Sequence, residues 1–185
     1  MSALFVALIH YPVVDRNGRI VTSAITSLDI HDLARAARTY GASALFVVHP
    51  MADQREFGAR VIDHWKDGNG RRFDTRRREA LELVHLVEDL DAALATAEAI
   101  AGARPLIVHT SARTEGGVSY AELRERMERD DGPPMMLLIG TGFGMAPAML
   151  ERADIVLAPI LGPDAYNHLS VRAAAGIILD RLRGH

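Results

Sequence analysis

The chain has 185 residues, 49% apolar and 24% charged, and contains no cysteine. Disulfides and thiolate metal centres are therefore excluded, and no apolar run reaches the ~20 residues of a membrane-spanning helix. A formal charge of −3 excludes a uniformly basic nucleic-acid binder but leaves room for a local basic patch; Lys66 is the only lysine, so such a patch must be built from arginine, the better fork for phosphates. The length suits one domain over 1–185 with a full core. The opening MSALFVALIHYPVV is apolar at once and has no basic leader, so it reads as a first core strand rather than a signal peptide. With no cysteine and no leader, the expectation is a cytoplasmic protein.

Apolar runs and helical patterns alternate along the whole chain. Residues 4–9 form a strand candidate, and 15–18 carry an Asn-Gly turn signal. Residues 29–40 have helical spacing, with Ile30, Leu33, Ala34 and Ala37 on one face and Gly41 as the stop. A strand at 44–48 precedes an amphipathic helix at 53–65 and a polar, glycine-rich loop at 68–74. A short helix at 76–82, capped by Thr75, leads to a strand at 83–87 and an alanine-rich helix at 90–100. A strand at 105–109 is followed by a loop at 110–117 and a helix at 119–129. That helix opens on a capping box, Ser119 with Glu122 three residues on. After a turn at 132–134, two apolar strands each run into a glycine-containing loop, at 135–145 and 153–162. A helix over 166–182 closes the chain. This alternation predicts an α/β domain with a mostly parallel sheet and helices on both faces. Strands as apolar as the last two belong in the middle of such a sheet. The loops at their C-terminal ends are where open α/β proteins place ligands.

Three segments carry a resemblance. DIHDLARAARTYGA (29–42) pairs a helix-opening polar residue with Arg35 and the closing Gly41. LLIGTGFGM (137–145) is an apolar strand with a glycine loop. APILGPDAYNHLSVRAAAGIILDR (158–181) is a Pro-apolar-x-Gly turn, an Asn/Ser-bearing helix start and a small-residue helix. Together they resemble the SPOUT superfamily of RNA methyltransferases, and in particular small stand-alone members related to the tRNA guanine-N1 methyltransferases. Two departures stand out. Asp29 occupies the position where the family has asparagine. The acidic residue of the ribose-methylating branch is missing from the middle loop, where Gly142 or Phe143 stands.

The resemblance implies a C-terminal deep trefoil knot and an enzyme that uses S-adenosyl-L-methionine (AdoMet) to methylate RNA, tRNA or rRNA. Base nitrogen and ribose 2′-O both stay open as the target. For the cofactor it implies a first wall at His109, Thr110 and Ser111. The middle loop supplies Ile139, Gly140, Thr141, Gly142 and Gly144. The last segment supplies Ala158, Pro159, Ile160 and Gly162, then Asn167, His168, Leu169 and Ser170. Glycines let backbone amides approach a ligand closely; taken singly, each reads equally well as a plain turn. A dinucleotide fingerprint fits poorly, because the spacing is G-x-G-x-G near the C-terminus rather than G-x-G-x-x-G after a first strand.

Arg35 is the leading catalytic candidate by resemblance, its guanidinium forking an RNA phosphate to seat the acceptor nucleotide. Asp29 and Asp164 are the acid/base candidates; the alternative readings are an N-cap for Asp29 and a turn residue for Asp164. The run GRRFDTRRR (70–78) is the clearest basic patch, so Arg71, Arg72, Arg76 and Arg77 are expected to contact RNA, with Arg16 on a second rim. His10, His31, His49 and His109 fall at strand ends or helix starts. No histidine pair has the i, i+4 spacing of a helical metal site, so no metal is expected. Ala173, Ala174, Ala175 and Gly176 permit close helix contact, and the resemblance implies a homodimer. Two other functions remain open: a methyltransferase with a non-RNA acceptor, and an AdoMet- or RNA-binding module without catalysis.

Overall fold

The computed structural model describes residues 1–68, 70, 73–113, 116–129, 132–164 and 166–185. In chain order the elements are β1 (Leu4–Ile9), β2 (Val13–Val14), β3 (Ile20–Val21), α1 (Ser27–Thr39), β4 (Ala44–Val48), α2 (Ala52–Lys66), α3 (Thr75–Leu81) and β5 (Val84–Val87). Then follow α4 (Leu90–Ala101), β6 (Leu106–His109), α5 (Tyr120–Glu128), β7 (Met135–Gly140), α6 (Pro147–Glu151), β8 (Ile155–Val156) and α7 (Val171–Arg183).

Among the described residues, six strands form one sheet in the order β5-β4-β1-β7-β6-β8, and every pairing in it is parallel. The central strands are buried on both faces, β1 and β4 at every position, which is why their sequences read as unbroken apolar runs. Alternate side chains enter two cores. Leu4, Val6, Leu8, Leu137 and Ile139 pack with α1, α5 and α7. Phe5, Ala7, Ile9, Met136 and Leu138 pack with α4 and with Met149 of α6. Helices thus cover both faces, as the pattern predicts. No helix of the described residues is long and apolar enough to cross a membrane.

Four local expectations are corrected. β8 is not a central strand. It has two residues and, among the described residues, pairs in the sheet with β6 alone and lies at the edge, with β6 between it and β7. Its apolar character is satisfied instead by the segment that follows the 110–117 loop: Val118 bridges Leu157, and Ala158 N–H donates to Val118 O (2.9 Å). The first helix starts two residues early, because Thr26 is its N-cap and accepts from Asp29 N–H (3.1 Å). Asp74, not Thr75, caps α3, accepting from Arg77 N–H (3.0 Å). The last helix begins at Val171, because the Ser170 hydroxyl caps it by accepting from Ala173 N–H (3.2 Å); 158–170 has no regular structure among its described residues. The capping box is half right. Ser119 accepts from Glu122 N–H, while the Glu122 carboxylate turns to Arg126.

Candidate functional site

The chain builds β1, β4 and β5 outward in one direction, then returns to lay β6, β7 and β8 on the other side of β1. The reversal falls between β1 and β7, and in such sheets the crevice beyond the strand C-termini at that point is the ligand site. A cavity of about 520 Å³ lies there, within the roughly 300–1,000 Å³ typical of small-molecule sites.

Four segments wall it. The loop after β6 contributes Thr110, Ser111, Ala112 and Arg113. The end of β7 contributes Ile139 and the run 140–145. The segment after β8 gives Ala158, Pro159 and Ile160, and then Asn167 to Arg172 at the start of α7. The fourth side is His10 at the end of β1, Ser23 and Ala24 before α1, and Asp29 in its first turn. All the expected cofactor residues line the cavity except His109 and Gly162. His109 is buried at the end of β6, and burial pushes its pKa below the usual imidazole value.

Several of the polar side chains expected to bind the cofactor also hold the loops in shape. The Thr110 hydroxyl donates to Leu138 O (2.7 Å). Ser111 Oγ accepts from Arg113 N–H (3.1 Å). Asn167 Nδ2 donates to Ala112 O (3.1 Å), tying two walls together. The glycine loop is braced from outside by β2: Val14 N–H donates to Gly144 O (2.9 Å) and Phe143 N–H to Val14 O (3.1 Å). Two glycines are required by conformation, Gly142 at φ +61° and Gly144 at φ +113°. Gly140 is required by space, since a Cβ there would stand 2.8 Å from Met145 Cγ. The cavity's apolar surface comes from Ile139, Ile160, Leu169 and Ile178.

The electrostatics concentrate on the α1 side. Asp29 is almost wholly buried. Its Oδ1 accepts from Arg172 Nη1 (2.8 Å) and its Oδ2 from the Thr26 hydroxyl (2.7 Å). Arg172 also reaches Asp32 (3.4 Å). His10 is fully buried, and its pKa is lowered to about 4, first by burial and then by His49, whose ring lies 5.7 Å away.

The remaining expected site residues lie elsewhere. Arg35 is exposed on α1 and does not line the cavity. Asp164 is exposed, and its Oδ1 accepts from Tyr166 N–H (2.9 Å), which makes it a turn residue in this structure. Arg76 and Arg16 are exposed. Arg77 is committed to packing, its guanidinium 4.4 Å from the centre of the Trp65 ring. Arg71 and Arg72 lie outside the described residues. Sequence reading missed Ser23 and Arg172, which carry no local motif. It placed His10 at a strand end without a role. Among the described residues, no group of three or more acidic or histidine side chains is set to hold a metal ion.

Fold and cavity define an α/β protein with a cavity at the strand C-termini beside a glycine-rich loop. The chain belongs to the SAM-dependent RNA methyltransferase family whose model matches residues 3–184. It is 42% identical over 181 residues to a tRNA (guanine-N(1)-)-methyltransferase of Oleidesulfovibrio alaskensis, a match that covers 98% of this chain and 42% of that protein. The chain therefore spans less than half the length of that curated relative. Among solved structures, a probable methyltransferase from Bordetella pertussis superposes with a TM-score of 0.63 at 18% identity, covering 98% of this chain and 93% of that one. The SpoU methyltransferase AviRb from Streptomyces viridochromogenes, solved in complex with the cofactor AdoMet, superposes with a TM-score of 0.56 at 20% identity, covering 98% and 57%. At such identities the likeness speaks for the fold alone, and that fold is the mostly parallel α/β architecture that the alternation of strands and helices predicts.

Proposed function

We propose that this protein binds AdoMet in the cavity beyond β1 and β7 and transfers its methyl group to RNA. The observation that carries the reading is the placement of the glycine loop 140–144 at the sheet's reversal point in a chain matched by the family model over 3–184. The cavity suits the cofactor's chemistry. Ile139, Ile160 and Leu169 offer an apolar slot for adenine, and Gly140, Gly142 and Gly144 leave backbone amides approachable by ribose and carboxylate oxygens. When bound, AdoMet supplies a methyl group on a good leaving group, so the protein's main task is alignment, for which positioning can provide ~7–11 kcal/mol.

Arg35 on α1 and Arg76 at the start of α3 are exposed, which supports a role for both in holding RNA phosphates outside the cavity. The name of the curated relative favours tRNA, and a base nitrogen, as the acceptor. Asp164, in its exposed turn, would act at the RNA rim rather than inside the cavity.

The reading extends to topology and assembly. Residues 155–158 are bonded on one side to β6 and on the other to Val118, and Asn167 bonds Ala112 further on. A segment bonded both to β6 and to Val118, with Asn167 reaching Ala112, supports the trefoil knot. Leu161 (71% exposed) and Tyr166 (75% exposed) lie in the segment between β8 and α7, and a Cβ at Gly176 would meet nothing within 4 Å; these support a homodimer packed against this region. We propose the residues 1–185 as one domain of a cytoplasmic enzyme.

Calorimetric titration with AdoMet, followed by methyl incorporation into total tRNA and total rRNA, tests the reading. Binding with transfer to one pool is the expected result. Binding without transfer to either pool leaves a binding module, and no binding removes the methyltransferase assignment.

A further inference from the structure

The glycine loop after β7 is a tight turn with one large side chain at its tip. Gly144 N–H donates to Thr141 O (3.1 Å), closing a turn over 141–144. Gly142 takes φ +61°, and Phe143 a negative φ, since none of the described non-glycine residues has a positive one. This is the sign pattern of a type II′ turn with Phe143 at its third position. Turns are dominated by Gly, Pro, Asn, Asp and Ser, so the turn itself does not call for a phenyl ring. The backbone under the ring is fixed by β2. Phe143 N–H donates to Val14 O (3.1 Å), Val14 N–H donates to Gly144 O (2.9 Å), and Val13 bridges Met145.

Single apolar side chains are common on protein surfaces, but Phe143 is set apart by where it stands. It lines the cavity and is 47% exposed. The other large apolar residues of the lining fall into two groups. Tyr120, Ile139, Met145, Ile160, Val171 and Ile178 pack in or against one of the two cores. Leu169, from the segment before α7, is exposed like Phe143, and neither belongs to a core. Phe143 thus borders the cavity and the solvent together, on a turn whose position is set before any ligand arrives.

We infer that the Phe143 ring is the platform on which the acceptor nucleobase of the RNA stacks, an assignment that rests on the methyltransferase reading above. A nucleobase has two flat faces and a polar edge, and a stack covers a face while leaving the edge free to react. Proteins that read RNA do so largely through unpaired bases stacked on aromatic side chains. Because every base has a π-face, such a platform seats a base whatever its identity. The braced turn lowers the ordering cost of binding. The cofactor's adenine is the competing flat ring. The core-packed Ile139 and Ile160 suit it, whereas Phe143, half in water, meets what enters from solvent.

Phe143→Ala removes the platform, Phe143→Leu keeps apolar volume without a π-face, and Phe143→Trp keeps the π-face. The full chain is assayed with AdoMet and total RNA from cells lacking the gene. In Phe143→Ala and Phe143→Leu, kcat/KM for RNA should fall roughly 5–150-fold, the factor that corresponds to one lost base–aromatic stack. Phe143→Trp should restore it to near the wild-type value. AdoMet affinity by calorimetry and the urea midpoint should hold in all three. The new indole also reports directly: its emission, above the Trp65 background of the wild type, should be quenched by RNA and not by AdoMet alone. Wild-type kinetics in Phe143→Ala or Phe143→Leu overturns the assignment. A parallel fall in AdoMet affinity, or quenching by AdoMet alone, gives the ring to the cofactor's adenine and overturns it too. So does a variant that no longer folds, which makes Phe143 a packing residue. Wild-type protein that binds AdoMet and methylates no RNA defeats the methyl-transfer reading and this role together. Transfer by wild type with unchanged kinetics in Phe143→Ala defeats this role alone.

Discussion

Arg172 Nη1 lies 2.8 Å from Asp29 Oδ1 and joins the first turn of α7 to the first turn of α1 across one wall of the cavity. The side chain of Asp29 is 9% exposed and that of Arg172 is 35% exposed, so the carboxylate depends on this partner while the guanidinium can still find water. Removing the guanidinium leaves a buried, half-satisfied charge.

Arg172→Met is therefore expected to cost about 2 kcal/mol in urea unfolding, below the ~3–5 kcal/mol of a fully buried pair. Asp29→Asn removes the charge that needs compensation. In the double variant part of that loss should return, and the cycle should give a coupling energy of about 1 kcal/mol or more. Strict additivity would mean the pair contributes nothing.

The glycine loop makes a conformational prediction about ligand affinity. Gly140→Ala places a methyl 2.8 Å from Met145 Cγ and 3.2 Å from Met145 N, so the loop must shift by several tenths of an ångström. AdoMet affinity measured by calorimetry should fall at least tenfold, with a stability loss of about 1–3 kcal/mol from overpacking. Gly102→Ala, remote from the cavity at the C-cap of α4 with φ +76°, is the control. It should cost about 1 kcal/mol of stability and leave affinity unchanged.

Stability should fall on mild acidification. His10 is held at about 4 against an ordinary value of 6.5, and burial also lowers His31, His49, His85 and His109. The unfolded chain takes up these protons at higher pH than the folded one. The stabilisation is thus complete above the ordinary value and is lost as pH falls from about 6.5 towards 4. His10 alone accounts for about 3 kcal/mol, at ~1.4 kcal/mol per pH unit. Urea unfolding at pH 7 and pH 5 checks this, and His10→Gln should flatten the slope.

Two neighbouring arginines should separate cleanly. Arg76 is exposed and Arg77 is stacked on Trp65. Arg76→Ala should weaken RNA binding and reduce the salt slope by about 0.7 to 1. Arg77→Ala should cost about 1 kcal/mol of stability with little change in the salt slope. Filter binding at several salt concentrations and urea unfolding distinguish the two.

Arg35→Ala should leave AdoMet affinity nearly unchanged, because the side chain lies outside the cavity, while methyl transfer to RNA is lost. Equal loss of binding and transfer would make Arg35 a cofactor-facing or structural residue. Calorimetry paired with methyl incorporation reads both.

The strands at 4–9, 44–48 and 135–140 were legible because a strand buried on both faces must be apolar at every position, a purely local signature. Glycines after β7 were legible for the same reason: a positive φ at Gly142 and Gly144 is a demand on those residues alone. The Ser119 cap and most loops of the cavity wall could be read likewise. What the sequence could not determine was which surfaces meet. The apolar run at β8 looks central and lies at the edge, because its second partner is the irregular segment at Val118. Arg172 stands 143 residues from Asp29, and Thr141 stands 118 from Ser23. Residue pattern records how wet or dry each stretch of chain will be. The pairing of buried charges depends on contacts between distant stretches, and those exist only once the sheet has closed around them.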